Sequence, residues 1–195
     1  THATLARTLQ LRLAALYLSY FISLYLFTIK SRANECQPQE NHINFTEYRQ
    51  LPQPEAAQAY LRQIEWRADR HLAELLAQHR FQTAYGQNAA LYFALEHGRI
   101  LGFGAITERD YLPRPALAPW IAFIYVDPAA RGQHLSARIV RHLESQLARQ
   151  GHTRVYLVSQ HLGFYEKYGY TLLETATDGI HDTDYLYGKD LRENG

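Results

Sequence analysis

From Ile43 to Tyr48 the chain alternates apolar and polar positions (INFTEY), the period of a strand with one covered face. Leu51-Pro52-Gln53-Pro54 interrupts it. Beyond that block Leu61, Ile64, Ala68, Leu72, Leu75, Leu76 and His79 fall on one stripe at helical spacing, which predicts a region of two helices. Strand patterning returns at Ala90–Leu95 and Ile100–Thr107, with His97-Gly98 between them as a hairpin turn. A proline-rich excursion from Leu112 to Pro119 leads into Trp120–Val126, nearly all apolar and so a central strand covered on both faces. Asp127-Pro128 stops that strand. Leu135, Ile139, Val140, Leu143 and Leu147 then mark an amphipathic helix, closed by Gly151. Val155–Val158 reads as a strand, Gly163–Tyr168 as a short helix, and Tyr170–Glu174 and Asp184–Gly188 as the closing strands. The order β-αα-βββ-α-β-α-ββ predicts an α/β domain built on a single mixed sheet.

The first forty-one residues do not belong to this pattern. Leu13 to Ile29 carries no charge, with Arg7 and Arg12 before it and Lys30 and Arg32 after it. Such a run sits at the lower edge of what crosses a bilayer, and Ser19, Ser23, Thr28 and its tyrosines make it less oily than most spans. Three readings stay open: a membrane anchor, a helix packed on this domain or on a second copy in a homodimer, or a gene-start artefact. The polar stretch that follows (SRANECQPQEN) reads as a linker. The expected division is 1–41, an N-terminal apolar helix and linker, and 42–195, the main domain.

Composition narrows the function. Among 195 residues, 47% are hydrophobic and 20% charged, which excludes wholesale disorder. The first 41 residues hold Arg7, Arg12, Lys30 and Arg32 against Glu35 and Glu40, so the formal charge of +1 leaves −1 on the rest. That balance, with no basic stripe, speaks against a nucleic-acid partner. The single cysteine, Cys36, excludes an internal disulfide and a thiolate-rich zinc site. It fits a cytoplasmic location, with membrane association through the N-terminal segment as the alternative.

The chemistry is concentrated in Tyr125-Val126-Asp127-Pro128-Ala129-Ala130-Arg131-Gly132-Gln133-His134-Leu135-Ser136. A buried strand runs through a tight loop straight into a helix. The first turn of that helix has free N–H groups and the positive dipole end, suited to a pyrophosphate, and Arg131 adds a full charge. This segment resembles the acetyl-CoA loop of the GNAT acetyltransferase superfamily, which reads Arg-Gly-x-Gly-x-Gly/Ala. Arg131 and Gly132 match, while His134 and Ser136 stand where glycine, and glycine or alanine, are usual. If position 134 needs a positive φ, histidine is among the more tolerant residues. A second segment, Gly163-Phe164-Tyr165-Glu166-Lys167-Tyr168-Gly169-Tyr170, is similar to the family's tyrosine-glutamate-lysine-x-glycine-aromatic signature.

The resemblance covers about Ile43 to Leu191 and implies a GNAT domain using acetyl-CoA as co-substrate, with no metal. It implies that Arg131, Gly132, Gln133, His134, Leu135 and Ser136 hold the pyrophosphate. It also implies main-chain contacts from Ile124, Tyr125 and Val126 to the pantetheine arm, and Tyr165 as the acid that protonates the departing thiolate. With no cysteine near either motif, direct transfer to a primary amine of a small molecule or peptide is expected. The alternative is a CoA-binding sensor or scaffold without turnover. Near-neutral charge favours a small or singly charged amine over an aminoglycoside.

The acceptor side is thinner in signal. Trp120–Val126 contains no acid, so the nearest candidates for a general base are Glu108 and Asp110, just after the third strand. Glu108 is taken as catalytic beside Tyr165. His161 reads as a base through water or as a helix-entry residue, and Trp66 as an amine-site wall or a contact of the N-terminal helix. His181, Asp182 and Asp184 match no metal template and read as a surface loop.

Overall fold

The computed structural model describes residues 43–64 and 67–191, within a compact unit spanning Ile43–Gly195. The apolar run 13–29, the linker and Trp66 lie outside the described residues. Among the described residues no helix is long and apolar enough to cross a membrane.

Strand β1 (Asn44–Glu47) is followed by helices α1 (Pro54–Gln63), α2 (Arg67–Ala77) and α3 (Phe81–Tyr85). Then come β2 (Ala90–Glu96), β3 (Arg99–Thr107), β4 (Trp120–Val126), α4 (Leu135–Arg149), β5 (Arg154–Ser159), β6 (Thr171–Ala176) and β7 (Asp184–Asp190). Pro54 opens α1 at a position where its missing N–H costs nothing. Ile64, extended at ψ 138°, ends that helix, so the predicted stripe divides into two helices. The stripe also stops before His79, which is exposed at φ 53°. There the Arg80 N–H reaches Leu75 O at 2.8 Å and the His79 N–H reaches Leu76 O at 3.1 Å, closing α2 in a left-handed cap. Helix α3 is an addition to the predicted order.

The strands form one seven-stranded sheet in the order β1-β2-β3-β4-β5-β7-β6. Every neighbouring pair is antiparallel except β4 and β5. Helix α4 covers one face with Ile139, Val140, Leu143 and Leu147, all buried beside Val155, Leu157 and Tyr187. On the other face Leu61, Leu72, Leu76 and Phe81 of α1–α3 pack against Leu91, Phe93, Phe103 and Ala105. Each such fully buried large apolar side chain contributes about 1.5–3 kcal/mol relative to exposure. A smaller cluster, Leu112, Trp120, Ala176 and Leu186, anchors the proline-rich excursion.

The predicted helix over Gly163–Tyr168 is corrected to a single 3-10 turn, Glu166–Tyr168. The Glu166 carboxylate accepts from the Gly163 N–H at 3.2 Å, holding the preceding residues in a turn. Gly169, at φ 85°, reverses the chain directly afterwards. Thr171 then starts β6.

Candidate functional site

β4 and β5 pair at one position only, Trp120↔Tyr156. Beyond it they separate. The separation begins where β4 gains a residue: Ala105 pairs with Ala122 but Phe103 with Tyr125, so three steps on β4 oppose two on β3. Phe123 absorbs the bulge at φ 55°, a conformation an aromatic residue adopts only where its surroundings impose it. Its ring meets Tyr85 edge-on at 5.1 Å, and Tyr125 stacks on Phe103 at 5.2 Å.

A cavity of about 1290 Å³ follows β4 from Ile121 to Tyr125. Its loop end is made by Asp127, Pro128 and Arg131, and its β5 side by Ser159, Gln160, His161 and Tyr165. Tyr60 of α1, Ile64 just past its end, His71 of α2 and Tyr85 of α3 close another wall. Arg109, Asp110, Tyr111, Ile180 and His181 complete it at the end away from the loop.

At the loop end, Asp127 Oδ1 accepts from the Ala129 N–H at 2.9 Å and Oδ2 from the Tyr60 hydroxyl at 3.0 Å. The Arg131 side chain donates to Val126 O at 3.3 Å. Residues 131–134 are exposed, with Gly132 at φ 80° and His134 at φ 55° as two left-handed positions. His134 is the N-cap of α4 and makes no side-chain cap hydrogen bond, and the first turn carries no acid. No acid in that first turn offsets the positive end of the fifteen-residue helix.

Tyr165, 8% exposed, is held in a ring cluster with Phe164 at 5.0 Å, Tyr187 at 5.8 Å and Tyr170 at 5.9 Å. Burial, and then the neighbouring Tyr168 and Tyr187, push its phenol up to about 12. It keeps its proton at neutral pH.

Of the predicted site residues, Ile124, Tyr125, Arg131 and Tyr165 line the cavity. Val126 and the Gly132–Ser136 run continue beside it along the loop and into α4. Asp110 and His161 line it too; Glu108 does not. Glu108 Oε1 accepts from the Asn88 backbone N–H at 3.0 Å and from its side-chain amide at 2.8 Å. The backbone N–H foremost, and that amide with it, hold the Glu108 carboxyl below the usual range. Glu108 thus caps the turn between α3 and β2.

The reading of 181–184 as a surface loop is corrected by Asp184, which is fully buried at the start of β7. Its Oδ1 accepts from the Tyr111 hydroxyl at 2.8 Å and lies 3.0 Å from His181 Nδ1. Asp110 accepts from the Tyr111 N–H at 2.8 Å. Burial foremost, with the Asp184 charge adding to it, pushes the Asp110 carboxyl up to about 6 against the backbone hydrogen bonds of Tyr111 and Leu112. No short-range motif marks this group: its members are brought together by the β3–β4 and β6–β7 connections.

A mixed sheet opened at its single parallel pair, beside a phosphate-type loop, places the chain among the acyltransferases. Residues 47–170 match the model of the acetyltransferase (GNAT) family, and the chain belongs to that family. No curated protein sequence matched it. Solved structures share the fold. An N-acetyltransferase from Staphylococcus aureus Mu50 is 17% identical, with a TM-score of 0.57 over 77% of this chain and 98% of that one. An aminoglycoside 6'-N-acetyltransferase complexed with coenzyme A is 16% identical, with a TM-score of 0.58 over 78% and 99%. A GNAT family N-acetyltransferase from Escherichia coli in complex with CoA is 18% identical, with a TM-score of 0.58 over 81% and 86%.

Proposed function

We propose that this chain transfers an acetyl group from acetyl-CoA to a primary amine by direct attack of the nitrogen. The observation that carries the reading is Tyr165, a buried phenol that retains its proton, in the wall of a cavity that Arg131 also lines. The donor set fits the co-substrate. Arg131 and the acid-free first turn of α4 suit a pyrophosphate, and the exposed 131–134 backbone is open to it. Arg131, Gly132, Gln133, His134, Leu135 and Ser136 would hold the phosphates, and the separated edge of β4 at Ile124, Tyr125 and Val126 the pantetheine arm. Bound acetyl-CoA supplies an activated carbonyl and a thiolate leaving group.

Tyr165 donates its proton to the sulfur as the C–S bond breaks. Its ring neighbours fix its direction, and burial keeps it from ionising beforehand. Glu108, engaged by Asn88, leaves deprotonation of the amine to groups that line the cavity. Cys36, the chain's single cysteine, belongs to neither motif, in keeping with a path that has no acyl-enzyme.

Acetyl-CoA should raise the melting temperature, because a ligand that binds only the native state adds its binding energy to stability. Arg131→Glu should remove that shift by setting an anion beside the phosphates. Free-thiol release with an amine panel then separates turnover from a CoA-binding scaffold, which would show the heat shift alone. Tyr165→Phe should keep the shift and lower kcat by about 10²- to 10⁴-fold. A kcat within about twofold of the parent, with chemistry rate-limiting, removes Tyr165 from the mechanism.

A further inference from the structure

The end of the cavity away from the loop has one carboxylate in its wall and an aromatic lining. Asp110 stands beside Tyr85, whose phenol is pushed up by burial and then by the Asp110 charge. Tyr85 meets Phe123 at 5.1 Å, and Tyr111 meets His181 edge-on at 5.9 Å. Ile64 and the 73%-exposed Ile180 add apolar surface to the same wall.

The other acid of the cavity lining, Asp127, and the buried Asp184 are already engaged. Asp184 is fully buried and serves Tyr111 and His181. Asp127, at the loop end, holds the Tyr60 hydroxyl and the Ala129 N–H and lies 3.8 Å from the Arg99 guanidinium. Among the described residues no cation pairs with Asp110; its carboxylate accepts from the backbone N–H groups of Tyr111, at 2.8 Å, and Leu112. Arg109, also in this wall, repels further positive charge.

Resting on the acetyltransferase reading, we infer that the acceptor is a monocationic primary amine with an apolar or aromatic body, its ammonium set on Asp110 and its body against Tyr85, Phe123 and Ile180. The carboxylate takes one ammonium proton, which frees the nitrogen lone pair to form the C–N bond. As the C–S bond breaks, Tyr165 gives its proton to the sulfur and regains one from the nitrogen. The third proton stays on the amide. The products are the N-acetyl amine, the thiol and the proton left on Asp110, which solvent removes. A polyamine or aminoglycoside would bring further ammonium groups, and Asp110 is the one acid in the lining of this end.

The test uses the full chain with acetyl-CoA and phenethylamine, spermidine and kanamycin. Phenethylamine should have a kcat/KM at least about 10-fold above either polycation. With that amine kcat/KM should rise as pH passes about 6, where the Asp110 carboxyl ionises while faced by Asp184, Tyr85, Arg109, Tyr111 and His181. Asp110→Asn should lower kcat/KM for phenethylamine by about 10²-fold or more and remove that rise. Calorimetry of phenethylamine binding, which needs no acetyl-CoA, should show about tenfold weaker affinity in the variant. Should the variant not fold, the amine panel on the parent still decides. Better turnover of spermidine or kanamycin overturns the inference. So does Asp110→Asn within about threefold of the parent with an unaltered pH profile, or acetyl-CoA binding with no acetylation of any of the three. Failure of acetyl-CoA to shift the melting temperature instead overturns the acetyltransferase reading itself.

Discussion

His134 shows how a departure from a motif reads once its backbone is known. It stands where the motif this loop resembles has glycine, and its φ of 55° is a conformation that a β-branched residue resists. His134→Gly should be tolerated, whereas His134→Val should cost about 1–2 kcal/mol in urea unfolding, since a β-branched side chain resists the left-handed region. Equal stability of the two variants would show that the cap does not demand this conformation. Asp110 makes the opposite kind of statement, about charge. Its folded carboxyl is raised from 3.8 to about 6, so the folded chain holds a proton that the unfolded chain releases. Ionisation therefore opposes folding: the cost is absent below the unfolded value and fully present above the folded one. Asp110→Asn should stabilise the protein by about 1–2 kcal/mol at pH near 8 and by little near pH 3, read from melting curves. A stabilisation independent of pH would assign it to packing. Such a trade of stability for function is expected at a working carboxylate.

Among the elements, the β3–β4 pair decides the shape of the site. Gly102 pairs with Val126 one step past the bulge, where an added Cβ would stand 2.5 Å from the Tyr125 carbonyl and 3.3 Å from Val126 Cα. Backbone cannot yield as a flexible side chain can. Gly102→Ala should therefore cost about 1–3 kcal/mol in denaturant unfolding and weaken acetyl-CoA binding by displacing the Tyr125 edge. Undiminished stability and binding would mean that the two strands part more easily than their register implies. Most elements were legible in hydrophobic period: the strands at 90–95, 100–107 and 120–126 and the helix over 135–147 stand close to where the pattern puts them. The exceptions have local causes. His79 has a helical position in the stripe, yet the 79–80 backbone turns back to cap α2. The turn at 163–168 carries helix-compatible residues but is bound by the Glu166 side chain.

At the scale of the whole molecule, residues 43–191 supply both cores, the sheet and every cavity residue named above. A truncated chain beginning at Asn41 should therefore fold cooperatively and keep its acetyl-CoA heat shift. Insolubility of that chain, or loss of the shift, would show that the first forty residues cover part of the domain. Formal charge near zero gives the molecule little long-range field, so the acceptor recognition proposed above rests on a single group, Asp110.

Arg131 and Tyr165, which line one cavity, could be singled out in the chain because each lies in a short-range pattern. A strand, a tight loop and a helix N-terminus are consecutive in sequence, and a tyrosine in the six-residue signature Tyr165–Tyr170 needs no distant partner to be recognised. Glu108 and Asp110 were indistinguishable on those terms, two acids at the end of one strand. Their surroundings differ only because Asn88, from the β2 side, holds the first carboxylate and Asp184, from β7, crowds the second. The opening between β4 and β5 was of the same kind: the apolar run Trp120–Val126 announces a buried strand, but its bulge exists only against the register of β3. Periodicity reports which face of an element is covered, because side-chain alternation is a property of the local backbone. Which neighbour covers it, and what that neighbour does to a pKa or a register, depends on residues far away along the chain, and that was settled when the sheet closed over them.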